Sequence, residues 1–415
     1  MITELPEPAV HRPGSPCRPR LLATLDADYV EHTARLGPLP VLGPRDLVDL
    51  AASSGLTGRG GAAFPTGRKL ASLLTARRTV VIGNAAEGEP ASSKDELLLR
   101  RAPHLVLDGL LLAAQALGGQ EIYLYGPSAV LASSVRRAVA EREDARFVRL
   151  VAAPDAFVSG QDTAVVQAVQ GRPALPRTNP PATYVSGVRG LPTLVQNVET
   201  AAHLALIARY GAYWFRQAGT DEEPGTRLHT VSGAVRHPGV YELPGGASLD
   251  DAVAAAGGPA EALQALLVGG YHGGWVPWDP ITRALPLSRS ALRDYDAAPG
   301  AGVVIALPAR RCGLRAGADV AAYLAGQNAG QCGPCRYGLP SAAAVLERLA
   351  EGRAGPRVRT ELDRLLRMVD GRGACSHPSG TVRLIRSTLR TFHGEVDRHL
   401  AGHCSAAPVP GEVRR

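Results

Sequence analysis

The stretch Gly55-Leu-Thr-Gly-Arg-Gly-Gly-Ala-Ala-Phe-Pro-Thr-Gly-Arg-Lys69 places five glycines around Arg59 and ahead of Lys69 within fifteen residues. A backbone that turns through positive φ at Gly58, Gly60 and Gly61 can approach a ligand closely, so that bare N–H groups surround phosphate oxygens. Arg59 and Lys69 would then neutralise the phosphate charge. The glycines alone are equally compatible with a plain surface loop, since the chain has 47 of them.

The basic residues separate these readings. Of 45 lysines and arginines only two, Lys69 and Lys94, are lysine. Arginine has been taken wherever either cation serves, and the two exceptions fall in the glycine loop and in Asn84-Ala-Ala-Glu-Gly-Glu-Pro-Ala-Ser-Ser-Lys-Asp95. A compact ammonium suits a crowded phosphate or carboxylate site that a planar guanidinium fork does not.

The 415 residues exceed one ordinary core and point to two or three domains. Hydrophobic residues at 45% and charged residues at 20% describe a soluble globular chain. The net charge of +7 is spread over scattered arginines, with aromatics at only 5% and no basic stripe, so nucleic acid is excluded as a partner. Acidic partners or anionic cofactors suit this charge better. Met1 to Pro8 lacks the features of a signal peptide and reads as a loose arm. The longest apolar run, Leu105 to Leu117, contains Asp108 and Gly109, so direct membrane insertion is not expected and a cytoplasmic location is.

Thr79-Val-Val-Ile-Gly, Glu121-Ile-Tyr-Leu-Tyr and Arg146-Phe-Val-Arg-Leu-Val read as strands, alternating with helices over His104 to Gly118 and Ser128 to Arg142. That order predicts βαβ units with a mostly parallel sheet. Leu191 to Thr200 reads as the opening of a helix running through Leu206. From Gly225 to Leu307, two strands, a helix capped by Ser248 and closed by Gly257-Gly258, and further strands predict a small β-grasp-like unit. Tyr337 to Glu351, Arg357 to Val369 and Thr381 to Leu400 carry the apolar spacing of a helical bundle.

Six cysteines in a chain of this length are not a disulfide scaffold. Cys332-Gly-Pro-Cys335, with Cys375 further on, can hold a metal centre across a tight turn. A tetrahedral zinc or iron–sulfur site needs a fourth ligand, for which Cys312, Cys404 and His377 are the candidates.

Five segments occur in order: the glycine loop, Gly83-Asn-Ala-Ala-Glu-Gly-Glu-Pro, Pro192-Thr-Leu-Val-Gln-Asn-Val-Glu-Thr200, Gly233-Ala-Val-Arg-His-Pro-Gly-Val-Tyr-Glu-Leu-Pro, and Gly330-Gln-Cys-Gly-Pro-Cys-Arg336. Together they resemble the NADH-binding FMN/iron–sulfur flavoprotein subunit of respiratory complex I, the 51 kDa-type family of NADH-quinone oxidoreductase, in divergent form. The resemblance implies an α/β fold with a Rossmann-like FMN-binding domain, a small β-grasp soluble-ligand-binding domain and a C-terminal helical bundle holding a [4Fe–4S] cluster. The corresponding divisions are an N-terminal extension over 1–45, the FMN/NADH domain over 46–215, the β-grasp unit over 225–310, the bundle over 315–402 and a tail over 403–415.

The implied activity is hydride transfer from NADH to FMN, followed by single electrons through the cluster to a redox partner such as a ferredoxin or a thioredoxin-like 2Fe–2S protein. By motif, Gly58, Arg59, Gly60, Gly61 and Lys69 would cradle FMN. Phe64 would stack near NADH. Asn84, Glu87 and Glu89 would line the flavin and nicotinamide, with the two glutamates as catalytic residues. Gln161 and Asp162 occupy a flavin-side position, and Asn197 and Thr200 close the cofactor's far side. Cys332, Cys335 and Cys375 would ligate the cluster.

Departures fall at the same sites. Gln327-Asn-Ala-Gly-Gln-Cys-Gly-Pro-Cys-Arg has Ala329 where the family has a fourth cluster cysteine. Ala86 and Gln161 replace acidic residues, and the expected adenine-stacking aromatics fall at Ser72 and Ala182. Two other readings therefore stand beside the enzyme: a degenerate relative that binds flavin or another ligand without NADH turnover, and a bundle stabilised by zinc.

Overall fold

The computed structural model describes residues 19–406. The loose arm at the amino terminus and the tail beyond residue 406 lie outside these residues.

Strands β1 (Thr79–Asn84), β2 (Gly119–Pro127), β3 (Val148–Ala153) and β4 (Thr193–Asn197) form a parallel sheet in the order β3-β2-β1-β4. The first three strands step outward in one direction and β4 returns to the other side of β1. The order therefore reverses between β1 and β4, and the crevice beyond the carboxyl ends of strands at such a reversal is where open α/β sheets bind ligands. Asn84 and Asn197 end these two strands directly opposite one another.

β4 corrects the sequence reading of 191–200 as a helix. Thr193-Leu-Val-Gln is buried against β1, and the helix Val198–Arg216 begins only where the Asn197 side chain caps it by accepting from the Glu199 N–H. Four apolar-rich residues cannot be told from a buried helical turn by periodicity alone.

The apolar run over Leu105 to Leu117 lies in the buried helix Pro103–Leu117, where Asp108 accepts from His32, Arg142 and Arg209. A helix apolar on nearly every side belongs in a core. Gly109 is required there, because a Cβ would stand 1.9 Å from the Ala201 carbonyl oxygen of helix Val198–Arg216.

The second unit is a five-stranded mixed sheet, β5 (Thr226–Gly233), β6 (Gly239–Pro244), β7 (Leu263–Val268), β8 (Gly274–Pro277) and β9 (Val303–Pro308), in the order β6-β5-β9-β7-β8. β5 and β9 pair parallel at its centre, and the other pairs are antiparallel. Helix Leu249–Ala255 packs on this sheet and starts in the capping box formed by Ser248 and Asp251. This is the β-grasp-like arrangement that the strand, strand, helix order predicts.

The helices Gly313–Gly326, Leu339–Ala350, Val358–Val369, His377–Thr391 and His393–Leu400 complete the chain. Their apolar faces share one core with Trp275 and Leu267 of the second sheet. Apolar spacing alone runs the last two together. They divide at Phe392, whose ring packs on Trp275.

Candidate functional site

At the carboxyl ends of β1 and β4 the glycine loop, the loop after β3 and the segment 180–184 enclose a cleft of about 420 Å³, within the size range of small-molecule sites. Gly58, Gly60, Phe64, Lys69, Asn84, Gln161, Asp162 and Asn197 line it. The fold brings these residues together from separate segments: the glycine loop with helix Thr66–Ala71, the ends of β1 and β4, and the loop after β3 with the start of helix Asp162–Val169.

The geometry of the loop differs from the sequence expectation in one respect. Of Gly58, Gly60 and Gly61 only Gly61 has positive φ, at 104°, and Ala63 adopts 52° beside it. Gly60 serves a close approach, since a Cβ there would stand 3.4 Å from the Asn197 Cβ. Gly67 starts the next helix against Ala52, where a Cβ would come within 2.8 Å of backbone.

The Lys69 ammonium donates to the Val195 carbonyl at 2.5 Å and pairs with Asp162 at 3.3 Å, which holds a positive charge at the cleft wall. Phe64 is 43% exposed and offers a ring face at the same opening. Gln196, also in the lining, is buried, and its side-chain Oε1 has no hydrogen-bond partner. A buried acceptor without a donor costs free energy unless a bound group supplies one. The ring N–H of a flavin is such a donor, and Lys69 supplies the counter-charge for its phosphate, so the residues present suit FMN.

Arg59 and Thr200 are placed differently from expectation. The Arg59 guanidinium is buried and donates to the carbonyls of Pro224 and Thr226, while its backbone N–H donates to the Thr200 hydroxyl at 2.8 Å. Burial lowers its pKa to about 10. Both residues brace the glycine loop against helix Val198–Arg216 and the strand β5, and neither lines the cleft.

Glu87 and Glu89 are likewise engaged elsewhere and do not line the cleft. Glu87 accepts from the Ser92 hydroxyl at 2.5 Å and the Glu96 N–H at 3.0 Å, and so completes the amino end of helix Lys94–Arg101. Glu89 accepts from the Tyr271 N–H at 2.6 Å and reaches the second unit, where Gly270 at φ +88° leaves the space its carboxylate occupies. Burial pushes the Glu89 carboxyl up to about 7, against the Tyr271 and Ala91 N–H groups that lower it.

Behind the cleft lies a buried ion network. Lys94, 2% exposed, pairs with Asp95 at 2.6 Å and Glu199 at 2.9 Å. Asn197 donates to Asp95 at 2.6 Å, and Glu199 accepts from the Leu228 N–H of β5 at 2.9 Å. This is the crowded carboxylate site that the retention of lysine predicts.

The segment Pro180 to Tyr184 supplies one wall of the cleft, together with Thr163, Val195 and Gln196, and the sequence names none of these as a binding residue. Tyr184 places an aromatic ring two residues beyond Ala182, the position where the sequence suggests a lost aromatic. The paired prolines at 180 and 181 are the available signal, and they give a turn but no ligand.

In the helical bundle the three expected cysteines come together. Burial and then the Cys332 and Cys375 sulfurs push the Cys335 thiol up to about 12, opposed by the Ala329 N–H. Burial raises Cys332 as well, but the N–H groups of Ala374 and Cys335 outweigh it and hold that thiol below the usual range. Burial raises Cys375, and the His377 N–H opposes it. Three sulfurs within one another's field, ringed by backbone N–H groups, suit a cluster whose potential is set by such hydrogen bonds. The Ala329 N–H faces Cys335, so the residue that lacks a ligating atom stands at the cluster site itself.

None of the other three candidates supplies the missing ligand. His377 Nε2 donates to the Leu324 carbonyl at 2.9 Å, and its Nδ1 accepts from His272 at 3.1 Å. Cys312 caps the start of helix Gly313–Gly326, which is about 20 Å long at 1.5 Å per residue, whereas Cys332 follows its far end, and Cys404 lies with Cys312 beside Glu395 and His399.

Three family models match this chain: the Nuo51 FMN-binding domain over residues 51–206, the SLBB domain over 229–270 and the NADH-ubiquinone oxidoreductase-F iron–sulfur binding region over 315–399. The second F-type subunit of the NADH-quinone oxidoreductase of Rhizobium meliloti is 30% identical, with 86% of this chain and 89% of that protein covered. The F-type subunit of the Escherichia coli NADH-quinone oxidoreductase is 31% identical, with 86% and 84% covered. Among solved structures, an NAD+-reducing [NiFe]-hydrogenase in its H2-reduced state superposes with a TM-score of 0.80 at 31% identity, covering 87% of this chain and 63% of that one. In its air-oxidised state the TM-score is 0.83 at 30% identity, with 95% and 68% covered. The chain thus spans about two thirds of the length of those hydrogenase chains.

Proposed function

Because this chain belongs to the family of F-type, 51 kDa-class subunits of NADH-quinone oxidoreductase, we propose that it is an NADH-oxidising flavoprotein, with FMN at the carboxyl ends of β1 and β4 and a [4Fe–4S] cluster in the helical bundle. The observation that carries this reading is the cleft at the strand-order reversal, where Lys69, Asn84, Asn197 and Gln196 converge. When bound, FMN accepts hydride from NADH and releases electrons singly to an iron–sulfur cluster.

The protein's own groups bind and orient. Lys69 holds positive charge at the phosphate end, the glycine loop lets backbone approach, and Gln196 offers an acceptor to the ring. Phe64 and Tyr184 give NADH two aromatic surfaces at the opening. Glu87 and Glu89 act as positioning residues, fixing the loop between β1 and helix Lys94–Arg101. Cys332, Cys335 and Cys375 ligate the cluster, with a fourth ligand other than Cys312, Cys404 or His377. A soluble redox partner of ferredoxin or thioredoxin-like 2Fe–2S type takes the electrons, and the work is done in the cytoplasm. Among the described residues no helix is long and apolar enough to cross a membrane.

Reconstitution tests the reading. Anaerobically purified protein should take up one FMN per chain and contain iron and sulfide that fall sharply in Cys335→Ser. A protein that never retains flavin would remove the proposal.

A further inference from the structure

Cys312, Glu395, His399 and Cys404 present one ligand atom each, all within 4.8 Å of one another. They come from three places in the bundle. Cys312 caps helix Gly313–Gly326, Glu395 and His399 lie one turn apart on helix His393–Leu400, and Cys404 follows that helix on an exposed turn. Neither cysteine has a part in the flavin or cluster sites.

Two of the spacings are close to those of a tetrahedral site. Zinc–sulfur bonds near 2.3 Å and zinc–nitrogen or zinc–oxygen bonds near 2.1 Å, at tetrahedral angles, set neighbouring ligands about 3.6 Å apart for a sulfur–nitrogen pair and about 3.4 Å for a nitrogen–oxygen pair. Cys312 Sγ lies 3.5 Å from His399 Nε2, and His399 Nε2 lies 3.1 Å from Glu395 Oε1.

The surroundings orient the donors as metal ligands are oriented. His399 Nδ1 donates to the Leu349 carbonyl at 3.2 Å, which leaves Nε2 as the nitrogen aimed at the two sulfurs and the carboxylate. An imidazole whose second nitrogen is fixed by a backbone carbonyl is the usual partner of a bound metal. Glu395 is held in turn by the Ser405 N–H and hydroxyl and by Arg398. Two thiolates, a neutral imidazole and a carboxylate form a closed four-ligand set of the structural kind, with no open position for a substrate.

We propose that Cys312, Glu395, His399 and Cys404 bind one structural zinc ion that pins the chain after helix His393–Leu400 to the start of helix Gly313–Gly326. The site lies at the opposite end of that helix from the Cys332 and Cys335 cluster, so the two metals load independently. Zinc binding ties the exposed segment that carries Cys404 to the bundle, since a metal held only by the folded chain adds its binding free energy to folding.

The test is metal analysis of the full chain for zinc and iron together, in wild type, Cys404→Ser and Cys335→Ser. Wild type should carry one zinc per chain. Cys404→Ser, an exposed position, should lose zinc about tenfold or more while keeping its iron and flavin. Cys335→Ser should lose iron and keep zinc, so failure of the cluster reading and failure of this one read out on different metals. As a second measurement, cobalt(II) added to chelator-treated wild type should give thiolate-to-cobalt charge-transfer absorption that Cys404→Ser lacks. Substoichiometric zinc with no cobalt band, zinc unchanged in Cys404→Ser, or a Cys312–Cys404 disulfide in place of zinc would each overturn the proposal.

Discussion

Lys69 and Lys94 show how much one residue type can reveal. In a chain that uses arginine almost everywhere else, each lysine marks a place where a guanidinium does not fit, and the structure puts one at the cleft wall and the other between two buried carboxylates. Lys69→Ala should weaken FMN binding by about 1.5–3 kcal/mol, the range of a hydrogen bond to a charged group, read by fluorescence titration of the apoprotein. Lys94→Ala leaves Asp95 and Glu199 uncompensated and should destabilise the fold by roughly 3–5 kcal/mol in urea unfolding. Glu89 gives a pH signature. Its carboxyl titrates near 7 in the folded chain against an ordinary 4.5, so between those values the folded state keeps a proton that the unfolded state has released. Its contribution to stability is therefore complete below 4.5 and is lost as pH rises through about 7. Glu89→Gln, which keeps the neutral shape, should flatten that loss in melting curves taken across the window. An unchanged pH dependence would place the buried proton elsewhere. The roles of Arg59, Thr200, Glu87 and Glu89 are not legible from spacing, because a motif fixes which residues are near one another and not which way a long side chain turns when carbonyls compete for it.

Elements are legible where their period is long and hidden where they are short. The helix Pro103–Leu117 is announced by its leading proline and closing Gly118 and the helix after Ser248 by its cap and closing glycines, whereas β4 is a five-residue strand that reads as the start of the helix behind it. The same close packing makes glycines in helices differ in kind. Gly109→Ala forces a Cβ toward the Ala201 carbonyl and should cost on the order of 1–3 kcal/mol or more as two core helices separate. Gly326→Ala, at the end of its helix with nothing within 4 Å, should instead stabilise by about 0.4–1 kcal/mol. Equal effects in denaturant unfolding would contradict the packing described for the first helix pair. In the loop before Cys332, Ala329→Cys restores a thiol beside Cys335 and should raise iron retention under dilute chelator. No gain would mean that the loop cannot bring residue 329 onto the cluster.

On the scale of the whole molecule, polar contacts cross between all three units. Glu89 reaches from the parallel sheet to Tyr271, and Gln327 of the bundle accepts from the Phe157 N–H beside the flavin-side loop. Phe157, His272 and His377 pack against one another edge-on or tilted across all three units, with ring centroids 4.6–5.5 Å apart. The order of the three units is readable from alternating periods and motif order, since those are properties of consecutive residues. The cleft wall at 180–184 is not, because it is assembled by tertiary packing across a turn-rich stretch without a period of its own. The flavin cleft and the three-sulfur site belong to one redox chain only if reducing equivalents from NADH enter at the first. The most direct measurement is the visible absorption of anaerobic, FMN-loaded protein during titration with NADH. The flavin band should bleach as NADH is added, with half-saturation set by Phe64 and Tyr184 and raised in Phe64→Ala. A flavin band that stays fully oxidised at saturating NADH would contradict the account.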